Sequence, residues 1–104
     1  MQRAAFTMKL KPGCAAEYQK RHDAIWPALA AEIRKAGISD YSIFLDEATL
    51  TLFAVQQLAD HHTAADLPDS PIVRKWWDYM ADLMETNPDK SPVCIPIKEV
   101  FYLP

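Results

Sequence analysis

The sequence predicts an α+β fold in which one antiparallel β-sheet carries its helices on a single face, in the order β-α-β-β-α-β. Three observations carry this reading. Short alternating apolar segments occur at 3–10, 39–47 and in the C-terminal tail, a continuous apolar run lies within 50–57, and helical periodicity fills 14–36 and 71–85 between them. The two middle strands follow one another with almost no intervening chain, as a hairpin requires.

In the first segment, Phe6, Met8 and Leu10 point one way and Ala5, Thr7 and Lys9 the other, and Pro12-Gly13 closes the strand with a turn. The helical stretch 14–36 ends at Gly37, a favoured residue just past a helix C-terminus. Pro27 lies within it, removing a backbone donor and clashing with the preceding turn, so a kink or two helical pieces are expected. Tyr41, Ile43 and Leu45 share one face of the next strand. The strand after it is apolar at nearly every position from Leu50 to Val55, as when both faces of a sheet are covered. Asp60 is a candidate cap for a short helix, and Ser70-Pro71 for the start of a longer one. The segment 86–92, with two prolines, reads as a loop, and "IKEVFYLP" as a last strand. The whole is the split, ferredoxin-like arrangement.

A chain of 104 residues, 50% hydrophobic and 11% aromatic, forms one domain over 1–104 with a real core. Its net charge of −3 is spread over mixed signs, with no basic stripe for a nucleic-acid backbone. No segment is long and apolar enough to span a bilayer, and the N-terminus lacks the pattern of a signal peptide. Cys14 and Cys94 have neither CxxC nor zinc spacing, so two reduced thiols in a cytoplasmic protein are expected. Helices on one face leave the other face of the sheet open, and a second copy covering it predicts a homodimer.

The groups able to do chemistry are concentrated in two stretches. In "EYQKRHDAIWP", 17–27, about 100° per residue puts Cys14, Tyr18, His22 and Ile25 on one side of a helix. A buried phenol and imidazole there are either satisfied core residues or the lining of a pocket. An imidazole with an ordinary pKa near 6.5 suits proton transfer at neutral pH. The break at Pro27 would hold the pair at a pocket mouth, with Trp26 wedging the two helical pieces apart. In "IVRKWWDYMADLM", 72–84, an apolar stripe contains Trp76, while Trp77 points about 100° away and is left near a rim. Tryptophans at this spacing are ordinary core residues or, at a rim, platforms for the apolar face of a sugar. Tyr41 reads as a strand tyrosine whose hydroxyl is able to reach a cavity. His61 and His62 beside Asp60 read as solvated surface. With two glycines in the chain and no GxGxxG or P-loop, a phosphate-cradling loop is excluded.

Taken together, "EYQKRHDAIWP" (17–27), "YSIFLD" (41–46), "RKWWDYMADLM" (74–84), "NPDKSPV" (87–93) and "EVFYLP" (99–104) resemble the L-rhamnose mutarotase family along the whole chain. Residues 58–72 are the least family-like part, and no role is carried over to them. The resemblance implies a dimeric α+β barrel of ferredoxin-like subunits, acting on L-rhamnose without metal or cofactor. It implies His22 as proton donor at the ring oxygen, and Tyr18, Tyr41, Trp76 and Trp77 as sugar-contacting residues.

Anomer exchange demands only that one proton leave the anomeric hydroxyl and another reach the ring oxygen, so the implied chemistry needs no more than an imidazole and a positioned sugar. Two other readings share the architecture. A cofactor-free monooxygenase of the antibiotic-biosynthesis type would consume oxygen over a flat aromatic substrate. A sugar-sensing dimer would bind without accelerating exchange.

Overall fold

The computed structural model describes residues 1–104. The chain runs β1 (Gln2–Lys9), α1 (Ala15–Asp23), α2 (Pro27–Lys35), β2 (Ile38–Asp46), β3 (Thr51–Leu58), α3 (Pro71–Met80) and β4 (Ile95–Ile97), with 3-10 turns at Ala64–Asp69 and Ala81–Leu83. The strands form one four-stranded sheet in the order β2-β3-β1-β4, and every neighbouring pair is antiparallel. This is the α+β, ferredoxin-like class that the sequence predicts.

The stretch 14–36 is two helices. A residue preceding proline is driven out of the helical region, and Trp26 accordingly sits at φ −61°, ψ 128° while Pro27 opens α2 as its first residue. Upstream, the Ala24 and Ile25 N–H groups close α1 onto the Lys20 and His22 carbonyls at 3.3 and 3.1 Å. Gly37 ends α2 at φ +88°, a left-handed conformation that glycine adopts without steric cost. A Cβ there would lie 3.1 Å from the His62 backbone, so a side chain at the α2–β2 corner would be both strained and tightly packed.

Three boundaries differ from expectation. Asp60 caps no helix: its carboxylate accepts from the Met1 amino group at 2.8 Å, and the following 3-10 turn starts only at Ala64. The helix expected to reach 85 stops at Met80, because the chain beyond is captured by the end of β1. The Lys11 N–H donates to the Leu83 carbonyl at 2.8 Å, and the Glu85 N–H donates to the Lys9 carbonyl at 3.0 Å. The last strand is Ile95–Ile97 rather than the tail. After Ile97 the side chains are held instead of the backbone: Arg3 pairs with Glu99 at 2.9 Å and lies 3.3 Å over the Tyr102 ring.

Strand parity sets the core. Met8, Leu52, Ala54, Ile43 and Leu45 face the helices and pack with Leu29, Val73, Trp76, Met80 and Leu83. A smaller cluster of Ala36, Ile38 and Leu58 fills the far end. On the opposite face Phe44, Phe53, Ile95 and Ile97 remain exposed, the first by 62%. So β3 is apolar on both faces although only one is covered within the subunit. No helix is long and apolar enough to cross a membrane.

Candidate active site

Helix α1 places Tyr18 and His22 one turn apart, and their rings stack with centroids 4.3 Å apart. Tyr18 is buried at 7% exposure, and His22 is half-buried in the last turn before the break. The His22 Nδ1 lies 3.0 Å from the Tyr18 carbonyl oxygen. A carbonyl only accepts, so in the neutral imidazole Nδ1 carries the hydrogen and Nε2 is left with a free lone pair. Burial lowers the His22 pKa below 6.5, only partly offset by that hydrogen bond and by the charge of Asp23.

Helix α3 supplies the facing wall. Trp76, 8% exposed, meets His22 edge-on at 5.4 Å and Trp26 edge-on at 5.0 Å. Trp26 also stacks on Tyr79 at 5.5 Å, so its ring braces α3 instead of wedging α1 from α2. Edge-to-face contacts of this kind match the positive rim of one ring to the negative face of the next. Trp77 is half-buried against the edge of the core, with Arg74 lying 5.9 Å over its ring. It stands apart from the stacked set, turned off the fully buried stripe of Val73, Trp76 and Met80.

Arg21 joins the two walls. Its guanidinium donates to Glu17 at 2.8 Å on its own helix, to the Tyr79 carbonyl at 2.6 Å and to Asp82 at 2.9 Å. It also lies 4.3 Å over the Tyr79 ring. One side chain, with 13% of its surface exposed, therefore fixes the last turn of α1 against the end of α3.

Tyr41 reaches the same interior from β2 through a β-bulge. Ile38 pairs with Leu58 and Ser39 with Gln57, but the register then shifts so that Ser42 pairs with Val55. Asp40, at φ +46°, absorbs the extra residue. Asp40 and Tyr41 together lie opposite Gln56, and the shift keeps Ile38 and Ile43 both on the helix face. Tyr41 is 38% exposed as a whole residue, yet desolvation pushes its phenol up to about 12. The same cause raises Tyr18 further still, with added repulsion from Tyr41 and Cys94. Both phenols are neutral at physiological pH and offer O–H donors and acceptors to an uncharged ligand.

The structure thus gathers Tyr18, His22 and Trp76 by direct ring contact, while Tyr41 on β2 lies opposite Gln56 and Trp77 is half-buried at the edge of the core. Sequence patterns assign no site role to Gln56 or Arg21. Gln56 was detectable: it is a polar residue on the buried parity of an otherwise apolar strand. Arg21, which the helical wheel turns away from the Tyr18 stripe, finds its partners on α3, far along the chain, and no local pattern marks them. His61 is exposed, and His62 accepts from the Ala64 N–H at 3.3 Å through Nδ1.

The family model described as L-rhamnose mutarotase matches residues 3–103. An L-rhamnose mutarotase of Sinorhizobium fredii is 56% identical over 99% of both chains, and one of Bacteroides thetaiotaomicron is 57% identical over the same shares. The crystal structure of an L-rhamnose mutarotase from Formosa agariphila superposes with a TM-score of 0.94, at 50% identity and with 100% of each chain covered. An aromatic site around one imidazole, on a fold shared over the full length with these proteins, leaves one conclusion: the chain belongs to the L-rhamnose mutarotase family.

Proposed function

We propose that this chain interconverts the α and β anomers of L-rhamnopyranose at the Tyr18–His22–Trp76 site, with His22 moving the proton. The observation that carries the reading is the His22 tautomer. With Nδ1–H committed to the Tyr18 carbonyl, Nε2 is a base, and the lowered pKa keeps it one at neutral pH.

The steps then balance on one residue. Nε2 takes the proton from the anomeric hydroxyl, the C1–O1 bond becomes a carbonyl, and the C1–O5 bond breaks with its electron pair going to the ring oxygen. The imidazolium returns its proton to that oxygen, completing the donor role implied by the family likeness. Rotation about C1–C2 turns the other carbonyl face towards O5, and the same steps in reverse close the ring. General acid–base assistance contributes about 10²–10⁴-fold, enough for a reaction that already proceeds in water. Tyr18 and Tyr41 hydrogen-bond sugar hydroxyls, and Trp76 and Trp77 pack against apolar C–H faces of the ring.

The functional unit in this reading is a homodimer closed across the open sheet face. Adjacent strands align Phe44, Phe53, Thr7 and Ile95 in one row and Ser42, Val55, Ala5 and Ile97 in the next. Lys9 and Asp46 bound these rows at one end and Arg3 at the other. Such a continuous apolar patch with a charged rim suits a self-complementary contact. The free thiols of Cys14 and Cys94 suit a reducing, cytoplasmic setting.

Saturation transfer between the anomeric proton signals of L-rhamnose tests the function. The protein is expected to raise the exchange rate well above buffer, and no acceleration by folded protein would overturn the reading.

A further inference from the structure

Four side chains of β3 face the helices: Leu52, Ala54, Gln56 and Leu58. Three are apolar, and Gln56 is a carboxamide at 9% exposure. It stands where the core divides, since the main cluster reaches Ala54 and the smaller one begins at Leu58. Its ladder neighbour on β1 is Ala4, which adds little bulk above the sheet, and on its other side lies the bulge that presents Tyr41. A carboxamide has two N–H donors and an acceptor oxygen. The Tyr41 hydroxyl, presented from the bulge opposite Gln56, can occupy only part of that capacity. No residue short of full exposure has an enclosed side-chain nitrogen or oxygen without a partner, so any part of the amide left unbonded keeps some accessible surface.

We propose that Gln56 is a sugar-binding residue which, with the Tyr41 hydroxyl, holds a hydroxyl of the pyranose away from the reacting carbon and so sets which sugars the site accepts. The proposal rests on the mutarotase reading above and extends it to the sheet wall. An amide does not ionise, so Gln56 takes no part in the proton transfers on α1. Its effect falls on binding and on discrimination between sugars. A site built to bond a hydroxyl disfavours the analogue lacking it, because its own polar groups are then left without a partner.

The experiment measures exchange rates against sugar concentration for the intact chain, Gln56→Leu, Gln56→Asn and Tyr41→Phe, with L-rhamnose and each of its monodeoxy analogues. Gln56→Leu is expected to raise KM about tenfold, the equivalent of one hydrogen bond of about 1.4 kcal/mol, with kcat within about twofold. For one deoxy sugar the difference from the intact chain should vanish, and the same sugar should cancel the Tyr41→Phe penalty. The shorter amide of Gln56→Asn should give a smaller rise and shows that loss of bonding, not loss of folding, is being read. An unchanged KM, or a penalty identical for every sugar, would overturn the proposal and leave Gln56 as a support for Tyr41. Equilibrium binding of the same sugars by NMR titration separates the two claims, because a chain that binds without exchanging sinks the mutarotase reading while still testing Gln56.

Discussion

The imidazole of His22 lies on the ring of Tyr18 at 4.3 Å while its Nδ1 hydrogen-bonds the backbone carbonyl of that same residue at 3.0 Å. The stack fixes the plane of the imidazole and the hydrogen bond fixes its tautomer, which leaves Nε2 of the neutral ring without a hydrogen. Both contacts follow from spacing, because residues four apart on a helix lie one above the other.

This tautomer predicts a pH profile. His22 must be neutral to take the anomeric proton, and burial holds its pKa below 6.5. The value of kcat/KM should therefore stay level above pH 6.5 and fall as pH drops through the lowered pKa. An activity that rose on acidification would make the imidazolium the resting form and contradict the assignment.

Stability should follow the same group. A histidine whose folded pKa lies below its unfolded value binds protons more readily when unfolded. The contribution is complete above about pH 6.5 and is lost as pH falls from there through the folded pKa. Urea midpoints measured across that window should decline for the native chain and decline less for His22→Phe, which keeps an aromatic ring for the stack.

The two tryptophans should separate into different roles. Trp76 is 8% exposed and packs on both His22 and Trp26. Its replacement by alanine should cost about 3–5 kcal/mol of stability, by urea unfolding. Trp77 lies at the edge of the core, so Trp77→Ala should cost about 1–2 kcal/mol and act mainly on KM.

Arg21→Met keeps the stem and removes the charge that joins α1 to α3. The partners Glu17 and Asp82 are 42% and 65% exposed, so solvent screens the ion pairs. A loss of about 1 kcal/mol, mostly from the bond to the Tyr79 carbonyl, is expected in urea unfolding. Because the His22 wall and the Trp76 wall would then loosen together, kcat should fall more than binding.

The open sheet face makes a separate prediction. Phe44 and Phe53 sit side by side on it, 62% and 38% exposed. Light scattering should give a dimer mass for the native chain and a monomer mass for Phe44→Arg. A monomer for the native chain would contradict the homodimer.

Much of this was legible in the sequence because periodicity records which face of an element is buried. Alternation located the first two strands and a continuous apolar run the third, and the i, i+4 spacing put Tyr18 and His22 on one helix face. Pro27 announced the break, and the 100° offset between adjacent helical residues left Trp77 at a rim. What was not legible depends on partners remote in sequence. The tail looks like a strand, but Arg3 takes Glu99 and Tyr102 as side-chain partners and the ladder ends at Ile97. The end of α3 looks helical, but the edge of β1 claims Leu83 and Glu85. The bulge at Asp40 leaves no local signature, since only the register against β3 reveals it.

The central claim is that one imidazole carries the proton in both directions, and saturation transfer on L-rhamnose with the native chain and His22→Ala tests it most directly. The account predicts acceleration by the native chain that falls about 10²–10⁴-fold in the variant, with the fold intact by circular dichroism. Acceleration surviving in a folded His22→Ala protein would contradict it and move the proton chemistry to another group.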